Sequence, residues 1–354
     1  MAVSTVGPTG LSSAVGQLGK NLIQNGKFEV NQRGSTTVAA GAAGYGPDRW
    51  SVLSGATAAY TLTSDTSVPA GQGFLNSFKV DITTADSSIS SGENYYVEHR
   101  IEGSDCRHLM LGTANAKTVT LQFWARSQVT GIHCVSLQNN ASNRSYPFEY
   151  TIATADTWEY FTETIALDTG GTWLTTTGIG LRVRWSLGAG SSYQGTGDTW
   201  EAARDDCTSN QVNAVASTGQ FGLAGVQLEV GSATDFENEP VSVSLAKAQR
   251  YFKRFSGAAA LVLSGTCRST TAASVNANIG PMRAAPTGSV SAAAWSNVVD
   301  DSDSGRDSNN TPSWTTNADG GVSTSVTVAS GLTDGNGVVV EGKASQYAQF
   351  SAEL

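Results

Sequence analysis

The sequence predicts an all-β protein: a jelly-roll β-sandwich, then one short helix and a second small β domain, with an extended arm in front. Three observations lead there. Charged residues make up only 14% of the 354, while Gly, Ala, Ser and Thr recur throughout, a composition poor in helix formers. From Asn21 onward, short runs alternate apolar and polar residues and end at Gly, Asn, Asp or Ser, the pattern of half-buried strands joined by turns. A sustained 3.6-residue apolar period occurs only near 241–255.

Residues 1–20 are rich in Gly, Ser and Thr, too polar for a core element, and are expected to form an extended arm that docks on a partner or stays disordered. The jelly-roll domain is placed at 21–240. Its strands sort by face because side chains alternate with period two. In 119–126, Val119, Leu121, Phe123 and Ala125 form the core face, against Thr120, Gln122, Trp124 and Arg126. In 181–187, Leu181, Val183, Trp185 and Leu187 oppose Arg182, Arg184 and Ser186. Tyr95, Val97, His99 and Ile101 likewise oppose Tyr96, Glu98, Arg100 and Glu102. Runs at 78–82, 132–138, 158–167 and 221–230 bring the number of strands near that of two packed sheets, and the glycine-rich stretches at 170–171 and 188–197 read as loops.

At 241–255, Leu245, Ala248, Tyr251, Phe252 and Phe255 are spaced by three and four, with Ser242 or Ser244 available as a cap. One helix is expected there, carrying Lys247, Arg250, Lys253 and Arg254 toward its C-terminal end, where the helix dipole favours cations. The last region, 256–354, offers short strands near 258–263, 289–293, 322–329, 338–341 and 347–354. A β domain of that size folds more securely with help from neighbouring chains.

Charge and motif content exclude several functions. A net charge of −9 disfavours nucleic acid. The first residues show no basic segment followed by an apolar run, and no stretch approaches the ~20 apolar residues of a membrane span, so a soluble, non-exported chain without membrane insertion is expected. Cys106, Cys134, Cys207 and Cys267 lie far apart with no CxxC spacing and are expected as free thiols. His99, His108 and His133 belong to no HExxH, GxSxG or P-loop pattern, and no catalytic residue is assigned. His99 shares the core parity and reads as an interior group. The acidic run at 300–307 lacks the remaining ligands of an EF-hand loop and reads as solvated.

Several blocks in order carry a resemblance: NLIQNGKFEVNQRG at 21–34, DRW at 48–50, RIEG at 100–103, LQFWARS at 121–127, GVQLEVG at 225–231, AQRYFKRF at 248–255, MRAAPT at 282–287 and the closing SAEL at 351–354. Together they resemble bacteriophage and prophage tail-fibre proteins with a carbohydrate-binding-module-like jelly-roll domain. The resemblance implies a non-enzymatic fibre or spike subunit on the virion surface, assembled in the bacterial host cytoplasm. It also implies a homotrimer, attached to other virion proteins through residues 1–20 and contacting host-envelope glycan. The alternatives are a structural head-fibre or tail decoration without a glycan ligand, and a polysaccharide-degrading tailspike. Sugar-binding jelly rolls use aromatic rings and hydrogen-bonding side chains on one sheet face. Trp124, Arg126, Gln122, Tyr96, Arg100, Arg182 and Arg184 share the non-core parity and form the candidate surface; the same arginines beside Glu98 and Glu102 could instead build an ion-pair ladder. Related modules hold calcium through the Glu of an Asn-Gly-x-Phe-Glu strand, matched here by Glu29, and an Asp of the last strand, which 223–226 (LAGV) lacks.

Overall fold

The structure is a computed structural model that describes residues 19–301 and 305–354. The expected arm at 1–20 lies almost wholly outside the described residues. The chain divides into two compact units between Leu245 and Ala246.

Among the described residues the first unit holds twelve strands: β1 Thr36–Val38, β2 Ala43–Tyr45, β3 Trp50–Leu53, β4 Ala59–Asp65, β5 Ser77–Thr84, β6 Asn94–Glu102, β7 Thr118–Ser127, β8 Gly131–Gln138, β9 Ser145–Ile152, β10 Glu159–Ala166, β11 Ile179–Ala189 and β12 Gly219–Val230. They form two antiparallel six-stranded sheets, in the orders β1-β4-β5-β12-β7-β10 and β2-β3-β6-β11-β8-β9. We refer to these as the β7 sheet and the β6 sheet. This is a jelly-roll sandwich, and its core is the parity read from the alternation. Leu121, Phe123 and Ala125 of β7 face Val97, His99, Val183 and Trp185 of the β6 sheet, all fully buried. Phe123 meets Trp185 edge-on at 5.6 Å between ring centroids, and Trp50 meets Phe78 at 6.3 Å, so aromatic area joins the two layers where burial contributes most.

The segment 21–34 departs from expectation. Residues 24–27 make a turn rather than a strand, because Asn25 and Phe28 adopt positive φ. The Asn25 side chain holds that turn by accepting from Val30 N–H at 3.0 Å and donating to Val30 O at 2.8 Å. Gly26 allows the turn to touch β12: its carbonyl accepts from Val226 N–H at 3.0 Å, and a Cβ there would lie 2.1 Å from Val226 O. Pro147 sits within β9, an edge strand, where a missing N–H is tolerated.

The expected helix is shorter than its apolar period. It runs over Val241–Gln249, and Phe252–Ser256 is instead a strand, β13, paired antiparallel with 347–351. The aromatic residues at 252 and 255 gain a cross-strand setting there, and Arg254 stacks on Tyr347 at 3.6 Å. Lys253 and Arg254 are therefore strand residues and not part of a cationic helix end.

The second unit continues with β14 Val262–Cys267, β15 Ala272–Asn278, β16 Thr287–Val290, β17 Ser296–Asp300, β18 Arg306–Asp307, β19 Thr315–Thr316, β20 Gly321–Thr327, β21 Gly337–Gly342 and β22 Tyr347–Ser351. A three-stranded sheet β13-β22-β16 accompanies a seven-stranded sheet β18-β17-β21-β14-β15-β20-β19. Their shared core includes Leu263, Val275, Trp295, Val340 and Phe350. No helix among the described residues is long and apolar enough to cross a membrane.

Candidate functional site

The structure divides the seven residues of the candidate surface between the two outward faces of the sandwich. Gln122, Trp124 and Arg126 lie on β7, whereas Tyr96 and Arg100 lie on β6 and Arg182 and Arg184 on β11. Because the core faces of the two sheets point at each other, their outward faces look in opposite directions. One parity therefore gives two surfaces, and they differ in character.

On the β6 sheet the arginines are engaged. Arg184 stands opposite Glu98 and Arg182 opposite Arg100. The Glu98 carboxylate accepts from Arg184 Nε at 2.7 Å, from Arg182 at 3.0 Å and from Arg100 Nε. Arg184 also donates to Asp206 at 3.0 Å and to Gln138 at 2.8 Å, and its guanidinium lies 4.2 Å from the Tyr96 ring centroid. The Glu98 side chain is 0% exposed and that of Arg184 3%. Burial pushes the Glu98 carboxyl upward, but Arg184, Arg100 and Arg182 outweigh it and hold its pKa at about 2. This is the ion-pair ladder, closed by its own partners, and Tyr96, Arg100, Arg182 and Arg184 are withdrawn as ligand contacts.

On the β7 sheet the outward face opens into a groove of about 450 Å³ lined by Gln72, Phe74, Gln122, Trp124, Tyr160, Gly225 and residues 233–236. Register brings the floor together, with Trp124 on β7 opposite Tyr160 on β10. The ring centroids are 5.4 Å apart and tilted by 53°, and Tyr160 is 46% exposed. One wall exists because β12 bulges between Ala224 and Gln227. Gly225 at the bulge has φ +53°, and a Cβ there would lie 2.3 Å from Cζ of Phe74. Only glycine combines that backbone with that contact. Phe236 closes the wall, packing edge-on against Phe74 at 5.1 Å.

Gln122 organises this floor from beneath. It donates to Thr234 O at 2.8 Å and to Glu229 at 3.2 Å, and its Oε1 accepts from the Tyr160 hydroxyl at 2.6 Å. With every amide group engaged and the residue buried, Gln122 positions Tyr160 and the 231–236 loop and is not itself a ligand contact. Burial raises the Tyr160 pKa and the Glu229 charge raises it further, although a hydrogen bond with Thr162 opposes the shift, so the hydroxyl remains a donor. Arg126 leaves the groove: its guanidinium donates to Ser67 at 3.0 Å and Gln220 at 2.7 Å and lies 5.4 Å from Trp158.

Sequence reasoning missed Tyr160, Phe74, Asp235 and Phe236. The alternation within 158–167 places Tyr160 opposite in parity to Phe161 and Ile165, so its outward face was available as a signal. Its pairing with Trp124 is a matter of sheet order. Phe74 and Phe236 are loop residues without periodicity.

The residues do not fit a calcium ion. The Glu29 carboxylate pairs with Lys27 at 3.1 Å on an irregular segment, and no three His, Cys, Asp or Glu side chains converge among the described residues. Asp300, in the acidic run, is held by Arg306 at 3.0 Å and by Thr333 N–H at 3.0 Å. His99 is fully buried and accepts from Gln24 N–H at 3.2 Å; burial, with Arg49 adding to it, holds its pKa well below the usual value. The four cysteines are buried and unbridged.

Fold and site together describe a jelly-roll sandwich with an open aromatic groove on one face. No protein-family model matches the chain, and no curated protein matches it. Among solved structures it is similar to the enzymatically active domain of bacteriophage CBA120 tailspike protein 4, with TM-score 0.32 and 13% identity over 60% of this chain and 22% of that one. It is similar to a CBM4 module with TM-score 0.30 and 16% identity over 59% of this chain and 99% of the module. A third is the C-terminal family 22 carbohydrate-binding module of Clostridium thermocellum Xyn10B, with TM-score 0.32 and 13% identity over 62% of this chain and 99% of the module. The matches take in only 22% of the tailspike chain and 27% of an MgGH51 α-L-arabinofuranosidase chain, so this chain corresponds to under a third of either.

Proposed function

We propose that the first unit is a saccharide-binding module and that the groove on the β7 sheet is its binding surface. The observation that carries this reading is the Trp124–Tyr160 platform, half open to solvent and flanked by Gln72, Thr234 and Asp235. Flat aromatic faces suit the C–H faces of pyranose rings, and neighbouring polar groups suit their hydroxyls.

Binding without cleavage is the chemistry this groove supports. Glycoside hydrolysis uses two carboxyl groups flanking the scissile bond, and Asp235 is the one carboxylate lining the groove among the described residues. Glu229 lies beneath the floor with its oxygens committed to Gln227 at 2.8 Å, Thr234 N–H at 2.8 Å and Thr234 Oγ1 at 2.6 Å. The whole chain is then read as a non-enzymatic fibre or spike subunit of a phage virion. In that role it is homotrimeric, attached to other virion proteins through residues 1–20 and directed at host-envelope glycan; the ordered blocks from 21–34 to 351–354 support this.

A glycan array probed with the full chain, with Trp124→Ala and with Tyr160→Ala tests the module. Binding that disappears in both variants while their circular dichroism is unchanged supports it. Silence of the unsubstituted chain on the array and on host envelopes would leave a structural virion component instead. Light scattering at micromolar concentration tests the trimer, and a monomer there would remove it.

A further inference from the structure

The charge around the groove says which saccharides it would accept. Among the described residues its lining contains no Lys, Arg or His, and its one charged residue is Asp235. Asp235 is exposed, and only its backbone carbonyl is used among the described contacts, by Lys20 Nζ and by Gln227. Two cations lie nearby, and neither pairs with the Asp235 carboxylate among the described contacts. Lys20 lies against the loop carrying Thr234, 3.9 Å from Glu229, so the two offset one another. Arg126, the next outward residue along β7, is turned onto Ser67, Gln220 and Trp158. A sugar stacked on Trp124 and Tyr160 would therefore meet, at the groove rim, a carboxylate that makes no ion pair among the described contacts.

We propose that the groove selects saccharides bearing an unacylated amino group over those bearing carboxylate or phosphate, with Asp235 as the specificity-determining residue. The inference rests on the saccharide reading of the groove. A protonated amine on the bound sugar would donate a charge-assisted hydrogen bond to Asp235. An anionic sugar would be repelled with no cation in the lining to offset the repulsion.

Calorimetry on the full chain with three oligosaccharides of similar size tests this: glucosamine oligomers, their N-acetylated neutral counterparts, and galacturonate oligomers. Glucosamine oligomers should bind best and galacturonate worst. Asp235→Asn should narrow the gap between glucosamine and N-acetylglucosamine oligomers by about fivefold, the scale of one exposed ion pair. Raising salt from ~0.05 to ~0.5 M should narrow the same gap in the unsubstituted chain. Trp124-dependent binding with equal affinities, with an acidic glycan preferred, or with a gap indifferent to Asp235→Asn would overturn the charge selection while leaving the saccharide site standing. Silence toward all three sets together with a silent glycan array would overturn both. Asp235 is exposed and outside the core, so circular dichroism of the variant should match the parent, and a folded variant makes each outcome decisive.

Discussion

The two outward faces of the sandwich draw on the same residue types and end up as opposites. On the β6 sheet, Arg100, Arg182 and Arg184 converge on buried Glu98, and Tyr96 lies under the Arg184 guanidinium, so these side chains are engaged with one another. On the β7 sheet, Trp124 and Tyr160 sit beside a loop whose hydrogen bonds are satisfied from below by Gln122 and Glu229, so the rings face an open groove. Aromatic and polar residues on a non-core parity are thus only a starting condition. Whether they bind depends on whether the fold has already given them partners, because a satisfied buried network offers little to a newcomer.

The sharpest way to break this contrast is at Glu98. Glu98→Gln leaves three arginines around a neutral amide and should cost about 3 kcal/mol of stability, as when one partner is removed from a buried ion cluster. Denaturant unfolding checks it, and an unchanged midpoint would mean the ladder is not structural.

The same group sets an acid limit. Its folded pKa of about 2 lies below the ordinary value of 4.5, so as pH falls the unfolded chain takes up the proton first. The stabilisation is therefore complete above 4.5 and lost as pH falls through 2, an amount of about 3 kcal/mol. Buried, neutral His99 has its folded pKa well below 6.5, so it begins an earlier loss as pH falls below 6.5. Melting temperature followed against pH should show both segments in the unsubstituted chain, and only the His99 segment in Glu98→Gln.

The groove face should respond differently. Tyr160→Ala and Trp124→Ala should each weaken saccharide binding by about 2 kcal/mol, roughly thirtyfold in Kd, with smaller effects on folding because neither ring is fully buried. Gly225→Ala should cost about 1–2 kcal/mol through its left-handed backbone and displace Phe74 from the wall. Weakened glycan binding with Trp124 and Tyr160 intact would tie the β12 bulge to the site. Arg126→Ala, two residues from Trp124, should leave affinity unchanged.

Much of this fold was legible in the alternation. Strands β7, β6 and β11 carry strict period-two patterns, and their core faces are the ones observed, because one buried face fixes register strongly. The weaker elements hid for physical reasons. β15 has Val275 as its only large apolar residue, and β9 contains Pro147 beside polar loop residues. At 252–255 the aromatic spacing suited either a helix or a strand, and pairing with β22 decided it. The candidate groove was half legible: the alternation singles out Trp124 and Gln122, which line it, whereas Tyr160 needed the β7–β10 register and Phe74 needed the contact at Gly225. Parity says which side of a strand a residue occupies, and it cannot say which sheet that strand joins.

The most direct test pairs one substitution from each face. Tyr160→Ala and Arg182→Gln, both checked for a folded sandwich, would be titrated with a saccharide that the unsubstituted chain binds on an array. A site on the β7 sheet requires that Tyr160→Ala lose affinity by about thirtyfold while Arg182→Gln binds as the parent does. Retained binding in Tyr160→Ala with loss in folded Arg182→Gln would place recognition on the arginine face and contradict the division drawn between the two.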